Sequence, residues 1–181
     1  MATPTSLPAT FVAGNVLTAA QMNALRGAFR ILQVVSTTKA DTFTTNSNSY
    51  VDVTGLSVAI TPTSSSSKVL VIVNTEVGTN ADLGLGVIQL VRDSTAISIG
   101  DTAGSRVRAS TSIASSTAAV TNGYGITYLD SPATTSATTY KLQAAFIGGS
   151  GDVWFNRSQQ DTDSGNRGRF ASSITAIEVS A

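Results

Sequence analysis

Residues 55–74 read GLSVAITPTSSSSKVLVIVN, two apolar runs parted by a proline and a row of serines. In the first run Leu56, Val58 and Ile60 alternate with Ser57 and Ala59, the period of two that marks a strand with one face buried. The second run, KVLVIVN at 68–74, is apolar on both faces of a strand. Left exposed it would be an aggregation hazard, so it belongs at the centre of a sheet or beneath a second chain.

The neighbouring segments extend this reading in both directions. LGLGVIQLV (83–91) is again apolar, and its glycines at 84 and 86 allow another backbone to approach closely. Arg92, Asp93 and Ser94 mark a turn into TAISIGD (95–101). Residues 102–122 are rich in Ser, Ala and Thr and weakly patterned, either a long loop or a poorly signalled edge strand. GYGITYLD (123–130) sets Tyr124, Ile126 and Tyr128 on one face, and ATTYKLQAAFIGG (137–149) does so with Tyr140, Leu142, Ala144 and Phe146. DVWFNR (152–157) is a short strand, 158–168 a polar loop, and RFASSITAIEVS (169–180) closes the domain. Upstream, ILQVVSTT (31–38) reads as a connecting strand, and TFTT, NSNS and YVDV as a hairpin. Eight to ten strands with no second helical pattern and no fixed-period repeat predict an all-β fold, a jelly-roll-like antiparallel β-sandwich.

One segment breaks the β pattern. Over residues 18–29 Thr18 can cap a helix with Gln21 reaching back to it, and Leu17 and Met22 fit the flanking staple. Met22, Leu25 and Phe29 then form a narrow apolar stripe, with Leu32 just beyond. So short an amphipathic helix needs a partner surface: its own β body, copies of itself, or another protein.

With 181 residues the chain can form one β domain with an N-terminal extension. Eleven basic and eleven acidic side chains cancel, so no net field draws the protein to nucleic acid or an anionic membrane. Charged residues make up 12 %, about half the usual share, so solubility rests on hydroxyls and amides. The start MATPTSLPATFVAG has no basic cluster followed by an apolar run, and no stretch approaches the ~20 apolar residues of a bilayer span. No membrane insertion is expected, and a place outside the cell would be reached on a particle assembled in the cytoplasm.

The chemistry available is narrow. Without histidine a Ser–His–Asp arrangement is impossible, and without cysteine there is no thiol nucleophile, thiolate metal site or disulfide. Asp161 and Asp163 form a carboxylate pair of the kind a glycosidase uses, with Asp152 or Asp130 as further acids, but their Gly-containing polar loop also fits turn chemistry. DTDSGN (161–166) looks like the start of a calcium loop yet lacks its distal glutamate. The expectation is therefore no catalytic residue, no metal site and no cofactor. For binding, Trp154 with Asn156 and Arg157 offers an aromatic face beside amide and guanidinium groups, suited to a sugar ring, and Asp161 and Asp163 lie close by in sequence. Alternation lets only one of Trp154 and Phe155 point inwards, so a core or interface role for Trp154 stands beside the glycan role. Arg106 with Arg108 and Arg167 with Arg169 form two small basic pairs that would share a strand face.

Several of these segments together carry a resemblance. GNVLTAAQMNALRGAF (14–29), ITPTSSSSKVLVIV (60–73), LDSPATTSATTYKLQ (129–143) and SITAIEV (173–179) are similar to segments of tailed-bacteriophage fibre, spike and receptor-binding virion proteins. That resemblance implies a homotrimer in the virion. Residues 1–35 would anchor it to another virion protein through Phe11, Val16, Leu17, Met22, Leu25 and Phe29, and residues 36–181 would trimerise and face a host-surface glycan. The alternatives are a capsid decoration or head-fibre protein, and a glycan-degrading tail enzyme.

Overall fold

The computed structural model describes residues 31–79, 85–113 and 120–180, with Gly14, Val16, Thr18 and Ala19 ahead of them. Of the expected helix over 18–29 all but Thr18 and Ala19 lie outside the described residues, as do Phe11 and Leu17; Val16 is exposed.

Eleven strands are described: β1 (Ile31–Lys39), β2 (Phe43–Thr45), β3 (Val51–Ile60), β4 (Lys68–Thr79), β5 (Leu85–Arg92), β6 (Thr95–Ile97), β7 (Thr111–Ile113), β8 (Asn122–Asp130), β9 (Thr138–Ile147), β10 (Val153–Phe155) and β11 (Ser172–Val179). They form two antiparallel sheets. In the first, β4 is central, with β8 along one edge and β10 and β11 end to end along the other; β2 pairs with β10 and β1 with β11. The second runs β3-β9-β5-β6, with β7 also on β5. The sheets pack as a sandwich.

The doubly apolar run 68–74 lies where its pattern requires. Val69, Val71 and Val73 point into the core, while Leu70 and Ile72 face outwards and are half-buried between flanking strands. Val58 and Ile60 meet them from the second sheet, with Tyr140, Leu142 and Phe146 filling the middle. Each such side chain, fully withdrawn from water, contributes roughly 1.5–3 kcal/mol. At Gly86 it is side chains and not a second backbone that come close: a Cβ there would lie 3.1 Å from that of Ile113 and 3.3 Å from a methyl of Val153, and Gly84 lies outside the described residues.

Three local expectations change. Residues 43–53 form no hairpin, because β2 pairs with β10 in one sheet and β3 with β9 in the other. Phe43 stacks edge-on against Phe155 at 5.9 Å, holding β2 in the first sheet, and the NSNS turn carries the chain across the sandwich. YVDV and GLSVAIT belong to one ten-residue strand, whose irregularity between Asp52 and Ser57 is accommodated by Gly55 at φ 84°. The weakly patterned stretch 102–122 contributes the three-residue β7, and residues 114–119 lie outside those described.

Two polar clasps brace the sandwich, the first between the sheets and the second between the first sheet and the connection from β3 to β4. Asp130 on β8 accepts from Arg92 Nη1 at 3.0 and 2.9 Å and from the Tyr140 hydroxyl at 2.7 Å. Burial, and then the Asp130 carboxylate, raise the pKa of that phenol far above its ordinary range. Glu178 on β11, fully buried, accepts from Gln33 Nε2 at 2.6 Å and from the Thr63 amide and hydroxyl at 2.7 and 2.8 Å. Burial pushes its pKa up, but donors from Gln33, Ser67 and Thr63 outweigh that and hold it at about 2.

Candidate functional site

The polar loop expected at 158–168 is a hairpin extruded from what would otherwise be a single strand. β10 and β11 both run against β4, with Phe155 opposite Val77 and Ser173 opposite Asn74, so the chain leaves the sheet and returns to the same line. An antiparallel bridge between Arg157 and Arg169 closes the neck.

Asn156 clamps the exit point. It sits at φ 61°, a conformation Asn tolerates better than most side chains, and it is fully buried. Its Nδ2 donates to the carbonyls of Lys39 and Asp41, both at 2.9 Å, and its Oδ1 accepts from the Ser172 hydroxyl at 2.6 Å. The backbone N–H donates to Glu76 O at 2.9 Å and the carbonyl accepts from Phe170 N–H at 3.1 Å. Each of its polar groups is thus engaged within the chain, which leaves none for a sugar. The amide joins the kink between β1 and β2 to the two ends of the hairpin.

Trp154 lies on the outward side of β10, since Val153 and Phe155 belong to the core cluster, yet it is only 4 % exposed. The Arg157 guanidinium lies over its ring, 5.9 Å from the centroid, and reaches on to Thr44 Oγ1 at 3.1 Å. A stacking sugar would have to displace that cation. Arg157 also lies 3.4 Å from Asp161, whose other oxygen takes a hydrogen bond from Arg169. The Arg169 hydrogen bond, reinforced by the charges of Arg169 and Arg157, lowers the Asp161 pKa. A glycosidase acid has to keep its proton near neutrality, and this pairing holds Asp161 ionised instead.

Beyond the neck, residues 159–166 are exposed. A cavity of about 280 Å³ lies among Asp161, Asp163, Ser164, Arg167 and Arg169. Arg167 donates to Asn166 O and Gln160 Oε1, while its buried Nε has no partner among the described residues. Structure therefore groups Arg157, Asp161, Asp163, Arg167 and Arg169 in one polar hairpin, with Trp154 and Asn156 beneath it as support. Arg106 and Arg108 stand elsewhere, in a non-strand loop where Arg108 Nε donates to Gly100 O at 2.7 Å. Asp152 accepts at its carbonyl from Thr79 Oγ1 at 3.0 Å. Among the described residues no three His, Cys, Asp or Glu side chains are grouped to hold a metal ion, and no helix is long and apolar enough to cross a membrane.

One feature escaped the reading of the sequence. At the foot of the hairpin a groove of about 290 Å³ is lined by Asn74, Glu76, Gly123, Tyr124 and Ala171. A side chain at Gly123 would crowd Glu76, its Cβ 3.1 Å from Oε1, so the glycine keeps this groove open. The signal available was the pair Gly123 and Gly125 alternating on the face opposite Tyr124 and Ile126.

No family model and no curated protein matches the chain. Among solved structures, that of infectious bursal disease virus strain Gx aligns at 18 % identity and TM-score 0.36, over 82 % of this chain and 38 % of its own. The VP2 subviral particle of infectious bursal disease virus aligns at 16 % and 0.37, over 81 % and 39 %. This chain spans about two-fifths of the length of those neighbours.

Proposed function

We propose that this chain is a structural virion protein of a tailed bacteriophage, a short homotrimeric fibre or spike that contacts the host surface and performs no catalysis. Residues 1–35 dock it to another virion protein; residues 36–181, jelly-roll-like with β1, β11, β4 and β8 facing β3, β9 and β5, present loops outwards. The observation that carries the reading is the hairpin closed by Arg157 and Arg169, an exposed polar loop held by the buried Asn156 clamp on a rigid sheet. Recognition commonly takes this form, variable polar groups on a scaffold that does not move. The resemblance of four segments to phage fibre and spike proteins supplies the biological setting. Three copies per spike and many spikes per particle would turn weak glycan contacts into useful avidity.

The test replaces residues 158–168 by an Asn-Gly turn. The shortened protein is expected to keep its circular dichroism and thermal midpoint while losing adsorption to host cells and competition with infection. Adsorption equal to that of the intact chain would sink the recognition role. Binding to empty capsids instead of cells would mark a decoration protein, and release of reducing sugar from host polysaccharide would mark an enzyme. Removing residues 1–30 should leave a folded, cell-binding body that no longer joins the particle.

A further inference from the structure

The two outward faces of the sandwich differ in chemistry. On the second sheet Asp52, Gln143 and Gln89 stand side by side across β3, β9 and β5, joined by hydrogen bonds of 2.7 Å, and Lys141 pairs with Asp52 at 2.8 Å. That stretch is polar and open to water, while Val87, Ala145 and Val91 on the same side of the sheet are already buried within the chain. On the first sheet the register places Val34, Ile177, Leu70 and Leu129 in one transverse row across β1, β11, β4 and β8. Val34 and Leu129, at the two ends, are 55 % and 56 % exposed, and Ile31, one step along β1, is 64 % exposed. Ile72 extends the patch on β4, and past it Gly125 and Gly123 leave β8 without side chains. A contiguous apolar patch of this kind on a sheet's solvent side marks a protein contact.

We infer that this face, the outward side of β1, β11, β4 and β8, is where copies of the chain meet. The inference rests on the homotrimer reading and identifies the surface that makes it. Charge selects a second copy as the occupant. Among the described outward residues of these four strands only Lys68, at the start of β4, and Glu76, three residues before its end, are charged, so the face is neutral and matches another neutral face. It offers no field to hold a nucleic acid, an anionic membrane or a strongly charged protein. Size agrees as well: four strands about 4.8 Å apart and nine residues at about 3.3 Å each give a face of roughly 19 by 30 Å. Its flat projection, about 570 Å², supplies the larger part of the ~800 Å² per partner of a standard interface. Closed cyclic packing would also cover the outer side of the doubly apolar β4.

The experiment compares the intact chain with Val34→Lys, Leu129→Lys and, as a control on the other sheet, Ala59→Lys, by light scattering and circular dichroism over a range of concentrations. Because Val34 and Leu129 are mostly exposed in one chain, their replacement should leave the fold intact. The expected result is a threefold drop in mass for both lysine variants with unchanged dichroism, and no change for Ala59→Lys. Variants that keep the parent's assembled mass would overturn the assignment of this face while leaving the trimer standing. An intact chain that stays a single subunit at every concentration would overturn both, leaving the face to another part of the chain or a foreign protein. A dimer split by the same lysines would keep the face and refute threefold assembly. If a lysine variant misfolds, Leu129→Cys, the sole thiol in the chain, serves instead: protection from a thiol reagent in the assembled state supports the inference, and reaction as fast as in a denatured control refutes it.

Discussion

Asn156 shows how far one side chain's meaning depends on its surroundings. Beside Trp154 and Arg157 in the sequence it reads as a ligand-binding amide; in the fold it is a buried clamp whose amide donates two hydrogen bonds and accepts one. Asn156→Asp keeps the shape but turns an oxygen towards the carbonyls of Lys39 and Asp41, and should cost about 3 kcal/mol in urea denaturation, as should Asn156→Ala at this positive φ. A loss below the error of the measurement would show that the hairpin closes without the clamp. Glu178 is the second such residue, unremarkable within SITAIEV yet fully buried and ringed by donors. Its pKa is lowered from 4.5 to about 2, so its contribution is complete above pH 4.5 and is lost as the pH falls towards 2. At neutral pH Glu178→Gln should be destabilised by roughly 2 kcal/mol, and the gap to the parent should narrow in denaturation curves taken at progressively lower pH. A gap that is the same at pH 7 and pH 3 would refute the linkage. Neither role could be seen in the sequence, since Gln33 and Thr63 for Glu178 and Asp41 for Asn156 lie 115 to 145 residues away, and only Ser172 is near, 16 residues from Asn156.

Strands with strong alternation were legible because the period of two is set by backbone geometry and needs no knowledge of partners. Tyr140, Leu142, Ala144 and Phe146 on β9 lie in the core as their spacing predicts, and so do Val58 and Ile60 on β3. Pairing was less legible. TFTT and YVDV flank a good turn, but β2 binds β10, more than a hundred residues away, because Phe43 finds Phe155 there. The three-residue β7 had no signal of its own and exists because β5 offers it an edge. Gly86 marks a close packing of β5 against its neighbours: Gly86→Ala drives a methyl against the stiff β-branched Ile113 and Val153, and should lower stability by about 1–3 kcal/mol, read as a fall in the denaturation midpoint. An unchanged midpoint would show that the second sheet yields more easily than its packing implies.

For the proposed trimer, the expected outcome is a mass that is concentration-dependent and sensitive to charge on one sheet face only, with light scattering as the check. The all-β class, the central place of β4 and the polar loop before the last strand follow from local composition and periodicity, which act over a few residues. The N-terminal helix rests on the same local signals, Thr18 to Gln21 and the Met22, Leu25 and Phe29 stripe, and all of these but Thr18 lie outside the described residues. Tertiary structure alone decided that Val34, Ile177, Leu70 and Leu129 stand in one row, that Arg157 covers Trp154, and that Asn156 binds the kink after β1. Those relations join segments far apart along the chain, and strand register and sheet choice are settled by the packing of the finished core, a sum over many weak contacts that no short stretch of sequence contains.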